Sequence, residues 1–171
     1  ASIAAAAQSI AADFGHLDAL VNNAAVKLEN YPSPPSQCPL SRVRETFETN
    51  VFGTLAVIQA MLPLLLKAPA GRIVNLSSGM GSMTLATTPG SIYQEKPLLS
   101  YCSSKAALNS ITVQFASEFK DTALKVNAFD PGFTATDMTR EVVRPSGFGR
   151  TPAQAAIGAV RLATLPADGP S

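Results

Sequence analysis

The sequence predicts an α/β fold: a parallel β-sheet covered by helices on both faces. Three observations predict it. Short, largely apolar runs stand at Leu17–Val21, Arg72–Leu76 and Lys125–Phe129. Long segments with apolar residues in steps of three and four separate them. Each run then ends in a polar or Gly/Pro motif: Asn22-Asn23-Ala24-Ala25, Ser77-Ser78-Gly79 and Asp130-Pro131-Gly132. Parallel strands buried on both faces read as such runs, and ligands bind such sheets beyond the strands' carboxyl ends. The three strand-end motifs therefore mark a candidate site, although turn residues that merely end strands are the simpler reading.

Residues 2–14 carry Ile3, Ala6, Ala7, Ile10 and Phe14 at helical spacing, and Gly15 supplies a stop. After the first strand, residues 30–39 hold four prolines and read as a loop. Ser41 offers an N-cap for a long helix, Ser41–Leu66, bearing Val43, Phe47, Val51, Leu55, Ile58 and Leu62. Pro63 is expected to kink its last turns. Residues 79–99, rich in Gly, Pro, Ser and Thr, read as a long loop. Leu108, Ile111, Phe115 and Phe119 mark a further helix, Tyr101–Phe119. Thr151-Pro152-Ala153-Gln154 opens the last helix with a Thr cap, Pro at its first position and Gln placed for a capping box.

The 171 residues include 13 basic and 12 acidic side chains, and 46% are hydrophobic against 15% charged. That balance excludes a disordered chain. A net charge of +1 provides no field to attract nucleic acid or an anionic membrane, so neither is expected as a partner. Cys38 and Cys102 are too few for a disulfide scaffold and suit a reducing, cytoplasmic setting. The N-terminus lacks a basic signal region. The uncharged, apolar stretch Asn50–Leu66 contains Asn50, Thr54, Gln59 and Pro63 and falls short of the ~20 apolar residues of a membrane span. His16 is the only histidine, so no metal site and no Ser-His-Asp catalysis is expected.

The chemistry sits at Tyr101 and Lys105, at i and i+4 on one helix face. A tyrosine with its ordinary pKa of ~10 is about one part in a thousand phenolate at pH 7. Making it a working acid–base near neutrality takes roughly 4 kcal/mol. A cation ~4 Å away at an effective dielectric near 20 supplies about that much. The pair alone also fits a solvated lysine beside a packed tyrosine. Ser78, at a strand end, has a hydroxyl able to donate to a carbonyl oxygen, or is a turn serine. Asn50 is a poor helix former within an amphipathic helix, which suggests a polar task, with a solvent-facing Asn as the alternative. Cys102 reads as an inert thiol, and Arg42, Arg44, Glu45 and Glu48 as a solvated helix face. Arg140, Arg144 and Arg150 fit a surface cluster or a phosphate contact.

Together, Asn22-Asn23-Ala24-Ala25, Asn50, Ser77-Ser78, Tyr101-x-x-x-Lys105 and Pro131-Gly132-x-x-x-Thr136 occur in one order. With these elements the chain, from roughly Ile3 to Leu165, strongly resembles the short-chain dehydrogenase/reductase family. The resemblance implies a Rossmann-type, doubly wound, three-layer parallel sheet binding NAD(P)(H). Tyr101 would exchange a proton with the substrate oxygen, and Ser78 would orient and polarise that oxygen. Lys105 would hold the nicotinamide ribose and lower the Tyr101 pKa, and Asn50 would sit where a water joins the proton relay. Asn22, Ala24 and Ala25 match the cofactor-side strand end. Thr134 and Thr136, after Pro131-Gly132, match contacts to the nicotinamide carboxamide and the diphosphate.

Three departures stand out. Ala25 occupies a position where the family usually has glycine, tolerable if its φ is negative. Ser78 and Tyr101 are 23 residues apart, a longer spacing that resembles the insertions of carbonyl reductases and tilts the cofactor toward NADP(H) over NAD(H). That insertion is either a substrate lid lined by Met80, Met83, Leu85 and Ile92 or an inert excursion. Third, residues 1–171 read as a single domain lacking its N-terminal strands, its glycine-rich phosphate turn and its final strand. Gly79-Met80-Gly81 and Gly147-Phe148-Gly149 imitate that turn but are not expected to cradle phosphate.

The leading expectation is an NAD(P)(H)-dependent oxidoreductase acting on a small carbonyl compound or alcohol. A non-catalytic relative serving as a binding or assembly protein is the alternative. A third expectation is that the chain is part of a longer polypeptide, binding dinucleotide poorly by itself. The two long helices would build a homodimer or homotetramer, unless the insertion enforces a monomer.

Overall fold

The computed structural model describes residues 2–30, 34–94, 97–140 and 149–171. Its sheet has three strands, β1 (Ala19–Asn22), β2 (Arg72–Leu76) and β3 (Lys125–Phe129), in the order β1-β2-β3. Both pairings are parallel, with Val21 opposite Val74 and Val74 opposite Asn127. The second and third strands have the bounds read from the sequence. The first begins two residues later, because Leu17 uses its N–H on the Leu64 carbonyl and packs as a core residue.

Helices connect and cover the strands. α1 (Ile3–Phe14) is capped by Ser2 and ends at Gly15. It lays Ala7 and Ile10 on the core, but Phe14 stays 71% exposed. The expected long helix is α2 (Leu40–Phe47), a π-helical turn (Glu48–Gly53) and α3 (Thr54–Leu65) in one run. It starts one residue before Ser41, because the Pro39 carbonyl accepts from the Arg42 and Val43 N–H groups. A π-helical turn around Asn50 interrupts the run, and the helix then continues through Pro63 to Leu65. By length and composition Leu40–Leu65 would pass for a membrane span, yet Ile58, Met61, Leu64 and Leu65 are buried in the core.

Residues 79–99 are not all loop. Ser82 caps a short α4 (Met83–Thr87) by accepting from the Leu85 N–H. α5 (Leu99–Glu118) then returns along the sheet, and α6 (Pro152–Ala163) begins with the expected Thr151–Gln154 capping box. Ile73 and Val126 turn to the face shared by α3 and α5, where Ile58, Leu65 and Leu124 complete the core. α6 lies over all three strands on the other face. The result is a three-layer sandwich with every strand end facing one side.

Arg72 closes the opposite end of the sheet. It is 2% exposed, and its guanidinium makes five hydrogen bonds to four backbone carbonyls: Gly71 O (2.6 Å), Ala123 O (2.9 Å), Leu165 O twice (3.0 and 2.7 Å) and Pro166 O (2.7 Å). These bonds fasten the chain after α6 to the strand. Arg72→Met leaves buried carbonyls unpaired and is expected to cost about 3 kcal/mol. A urea midpoint within error of wild type contradicts that account.

Candidate active site

The carboxyl ends of β2 and β3 and the first two turns of α5 bring the predicted site residues together. Of the two serines ending β2, Ser77 is buried and donates to Asn109 Oδ1 at 2.5 Å. Ser78 accepts from the Met80 N–H and hydrogen-bonds the Tyr101 phenol. Tyr101 is 9% exposed. Burial pushes its pKa up to about 12, the Ser78 hydrogen bond pulls the other way, and the Asp130 charge adds to the rise. The i, i+4 pairing holds: Lys105 Nζ lies 5.7 Å from the Tyr101 ring centroid and donates to Leu76 O at 2.6 Å. Burial of this ammonium lowers its pKa to about 8. Burial thus holds the phenol as a neutral acid at pH 7.

The turn after β2 is built to keep this spacing. A Cβ on Gly81 would lie 2.6 Å from the Lys105 carbonyl carbon and 2.8 Å from the Ala106 nitrogen. Only glycine lets the Ser78 turn rest against α5 at Lys105. Gly79-Met80-Gly81 thus serves close backbone approach, and its short 3₁₀ turn runs on through Ser82 into α4.

Asn50 is buried, which overturns its solvent-facing reading. Its Oδ1 accepts from Val26 N (2.8 Å), while Nδ2 donates to Val26 O (2.9 Å) and Ser104 Oγ (3.0 Å). Ser104 in turn donates to Tyr101 O at 2.8 Å. The asparagine therefore clamps the segment after β1 to the tyrosine helix. The π-helical turn places its side chain there, as such insertions commonly do at functional sites.

Glu29 was missed by sequence reasoning. It is 4% exposed, and its Oε2 accepts from Ser100 Oγ (2.6 Å) and Tyr101 N (3.0 Å). Burial raises its pKa, but bonds from the Ser100 hydroxyl and the Tyr101 and Ser100 N–H groups outweigh it and leave the carboxyl below its ordinary range. The available signal was the start of α5, where Leu98 provides no side-chain cap. A helix end without a local acceptor needs one from elsewhere in the chain. Arg42, expected on a solvated face, donates instead to the Leu28 carbonyl beside Glu29.

On the cofactor side, Asn22 donates to Asn75 Oδ1 at 2.8 Å, and Asn75 donates to Thr112 Oγ1 at 2.9 Å. Ala24 is exposed, and no described non-glycine residue has a positive φ, so Ala25 stands without strain. The Pro131-Gly132 turn follows β3. Thr134 Oγ1 donates to Gly132 O at 3.2 Å, and Thr136 is exposed at the start of a 3₁₀ turn. Arg150 extends over this turn, Nη1 donating to Pro131 O at 3.4 Å, whereas Arg140 pairs with Asp137. Arg144 and Gly147-Phe148 lie outside the described residues. The buried Lys105 ammonium has one hydrogen-bond acceptor among the described residues, Leu76 O, which leaves N–H donors for a ribose diol. The residues present therefore suit the nicotinamide end of a dinucleotide. Among the described residues no glycine-rich strand-to-helix turn offers the diphosphate a cradle.

A family model described as short chain dehydrogenase matches residues 1–146. The chain is 39% identical over 140 residues to the short-chain dehydrogenase anuI of Penicillium roqueforti, covering 80% of this chain and 54% of that protein. It is 32% identical over 137 residues to the 3-oxoacyl-[acyl-carrier-protein] reductase FabG of Staphylococcus aureus, covering 77% and 48% respectively. The NADPH-bound carbonyl reductase from chicken fatty liver has the same fold, with a TM-score of 0.81 at 29% identity over 96% of this chain and 66% of that one. The chain spans about half the length of the curated relatives it matches.

Proposed function

The chain belongs to the short-chain dehydrogenase family, and from that premise we propose that it carries the substrate-side chemistry of an NAD(P)(H)-dependent oxidoreductase reducing a ketone or aldehyde to an alcohol, or the reverse. The observation that carries this reading is the convergence of Ser78, Tyr101 and Lys105 at the end of β2. Ser78 and Tyr101 donate to the substrate oxygen, and Tyr101 delivers the proton. A phenol with a pKa of about 12 is protonated throughout the physiological range, as the reducing direction requires. Lys105 holds the ribose with the donors that Leu76 O leaves over, and its charge stabilises the phenolate formed when Tyr101 gives up its proton. When bound, the dihydronicotinamide supplies hydride to the carbonyl carbon. Asn50 keeps α5 and the segment after β1 at fixed spacing through its side-chain amide.

NADP(H) is preferred to NAD(H) in this reading, on the NADPH held by the carbonyl reductase of similar fold. A cytoplasmic setting belongs to the same reading, on two cysteines that form no disulfide. So does homo-oligomerisation through the long helices, on Phe52 and Val113, exposed at 54% and 63%. The deciding experiment follows absorbance at 340 nm with NADPH or NADH and a panel of neutral ketones and aldehydes. Carbonyl-dependent consumption of either cofactor is expected, and none with any member of the panel overturns the proposal.

A further inference from the structure

We propose that Tyr93 and Asp130 are the substrate-selecting pair of this site, Asp130 excluding carboxylate-bearing carbonyl compounds and Tyr93 closing over neutral or cationic ones. The inference rests on the oxidoreductase reading and adds to it the class of substrate. Tyr93 belongs to the insertion between Ser78 and Tyr101. Its expected apolar lid members Met83, Leu85 and Ile92 remain exposed, while Tyr93 turns back onto the strand ends. A Cβ on Gly79 would lie 2.5 Å from Tyr93 Cζ, 2.6 Å from its hydroxyl and 2.9 Å from Asp130 Oδ2. Glycine at this position, next to the oxygen-holding Ser78, is thus the condition for phenol and carboxylate to meet there.

The carboxylate belongs to the site. Asp130 Oδ1 accepts from the Gly132 N–H at 2.9 Å and so steadies the cofactor-side turn. Its Oδ2 accepts from the Tyr93 hydroxyl at 3.4 Å, a long bond that a substrate acceptor can replace. Its charge reaches the Tyr101 phenol and adds to the upward push on that group. No cation forms an ion pair with Asp130 among the described residues. Lys105 is turned to the Leu76 carbonyl, and Arg150 to Pro131 O. A second carboxylate carried in by a substrate would face this one at the exposed end of β3. That like-charge encounter is the usual device by which a site rejects a competitor.

The experiment compares a keto acid with its methyl ester, which share their reacting carbonyl. The wild-type protein is expected to favour the ester in kcat/KM by about tenfold or more, the scale of one like-charge contact at protein dielectric. Asp130→Asn retains the acceptor for Gly132 and should raise the acid-to-ester ratio about tenfold. Tyr93→Phe keeps the ring on Gly79 and should raise KM for the ester more than it lowers kcat. A wild-type preference for the acid, or an Asp130→Asn ratio equal to wild type, overturns the inference while leaving the oxidoreductase reading in place. Turnover of neither compound, nor of any other carbonyl, overturns both.

Discussion

Tyr101→Phe is expected to lower kcat for carbonyl reduction by about 10³-fold, within the usual contribution of a general acid. NADPH affinity should change by less than about threefold, since the nicotinamide ribose is assigned to Lys105 and only a hydroxyl is lost. The ring is buried, and phenylalanine fills the same space on α5. What disappears is the single proton donor paired with Ser78. A factor of 10³ corresponds to about 4 kcal/mol of transition-state stabilisation. The wild-type pH profile provides an independent check. With Tyr101 at about 12 and Lys105 at about 8, reduction should be flat below pH 8 and fall above it as the lysine loses the charge that stabilises the phenolate. Lys105→Met should remove that fall together with most of the rate. Steady-state kinetics at 340 nm and a fluorescence titration with NADPH measure both quantities. Turnover of Tyr101→Phe equal to wild type removes the tyrosine from the mechanism.

Much of this arrangement was legible in the sequence because it rests on local chemistry. Arg72–Leu76 and Lys125–Phe129 are short apolar runs bounded by Gly/Pro signals, and their observed bounds follow those signals. The α6 capping box is likewise a four-residue pattern with a single geometry. Tyr101 and Lys105 share a face because helical periodicity leaves no choice. What could not be read depends on distant partners. The π-helical turn is held by Asn50 bonding Val26, 24 residues away, and no local signal predicts that bond. Glu29 and Ser100 are 71 residues apart, and only the missing cap on α5 hinted that an acid must arrive from elsewhere. The same blindness affects Gly79 and Gly81, which imitate a phosphate turn in one dimension and in three serve to bring Tyr93, Asp130 and Lys105 close.

Glu29→Ala should be the most destabilising change near the site, and its effect follows from what it leaves behind. The Ser100 hydroxyl and the Tyr101 N–H would both lose their acceptor in a buried environment. Each orphaned group costs about 1–3 kcal/mol, and the vacated space adds to the loss. Release of a buried charge offsets part of this, which leaves a net cost of about 3 kcal/mol. For a domain of this size that lowers Tm by roughly 10 °C. Glu29→Gln retains an acceptor oxygen and loses only the charge assistance, so about 1 kcal/mol is expected. The two variants also separate in their response to acid. The folded pKa of Glu29 lies below its unfolded value, so its contribution is complete above the ordinary glutamate range near ~4.3 and disappears as pH falls through the folded value. The stability gap between wild type and Glu29→Gln should therefore be constant from neutral pH to about 5 and close below about 4. Urea denaturation of the three proteins across that range tests the assignment. A gap that widens on acidification, or an alanine variant as stable as wild type, would mean that α5 is held at its start by something other than this carboxylate.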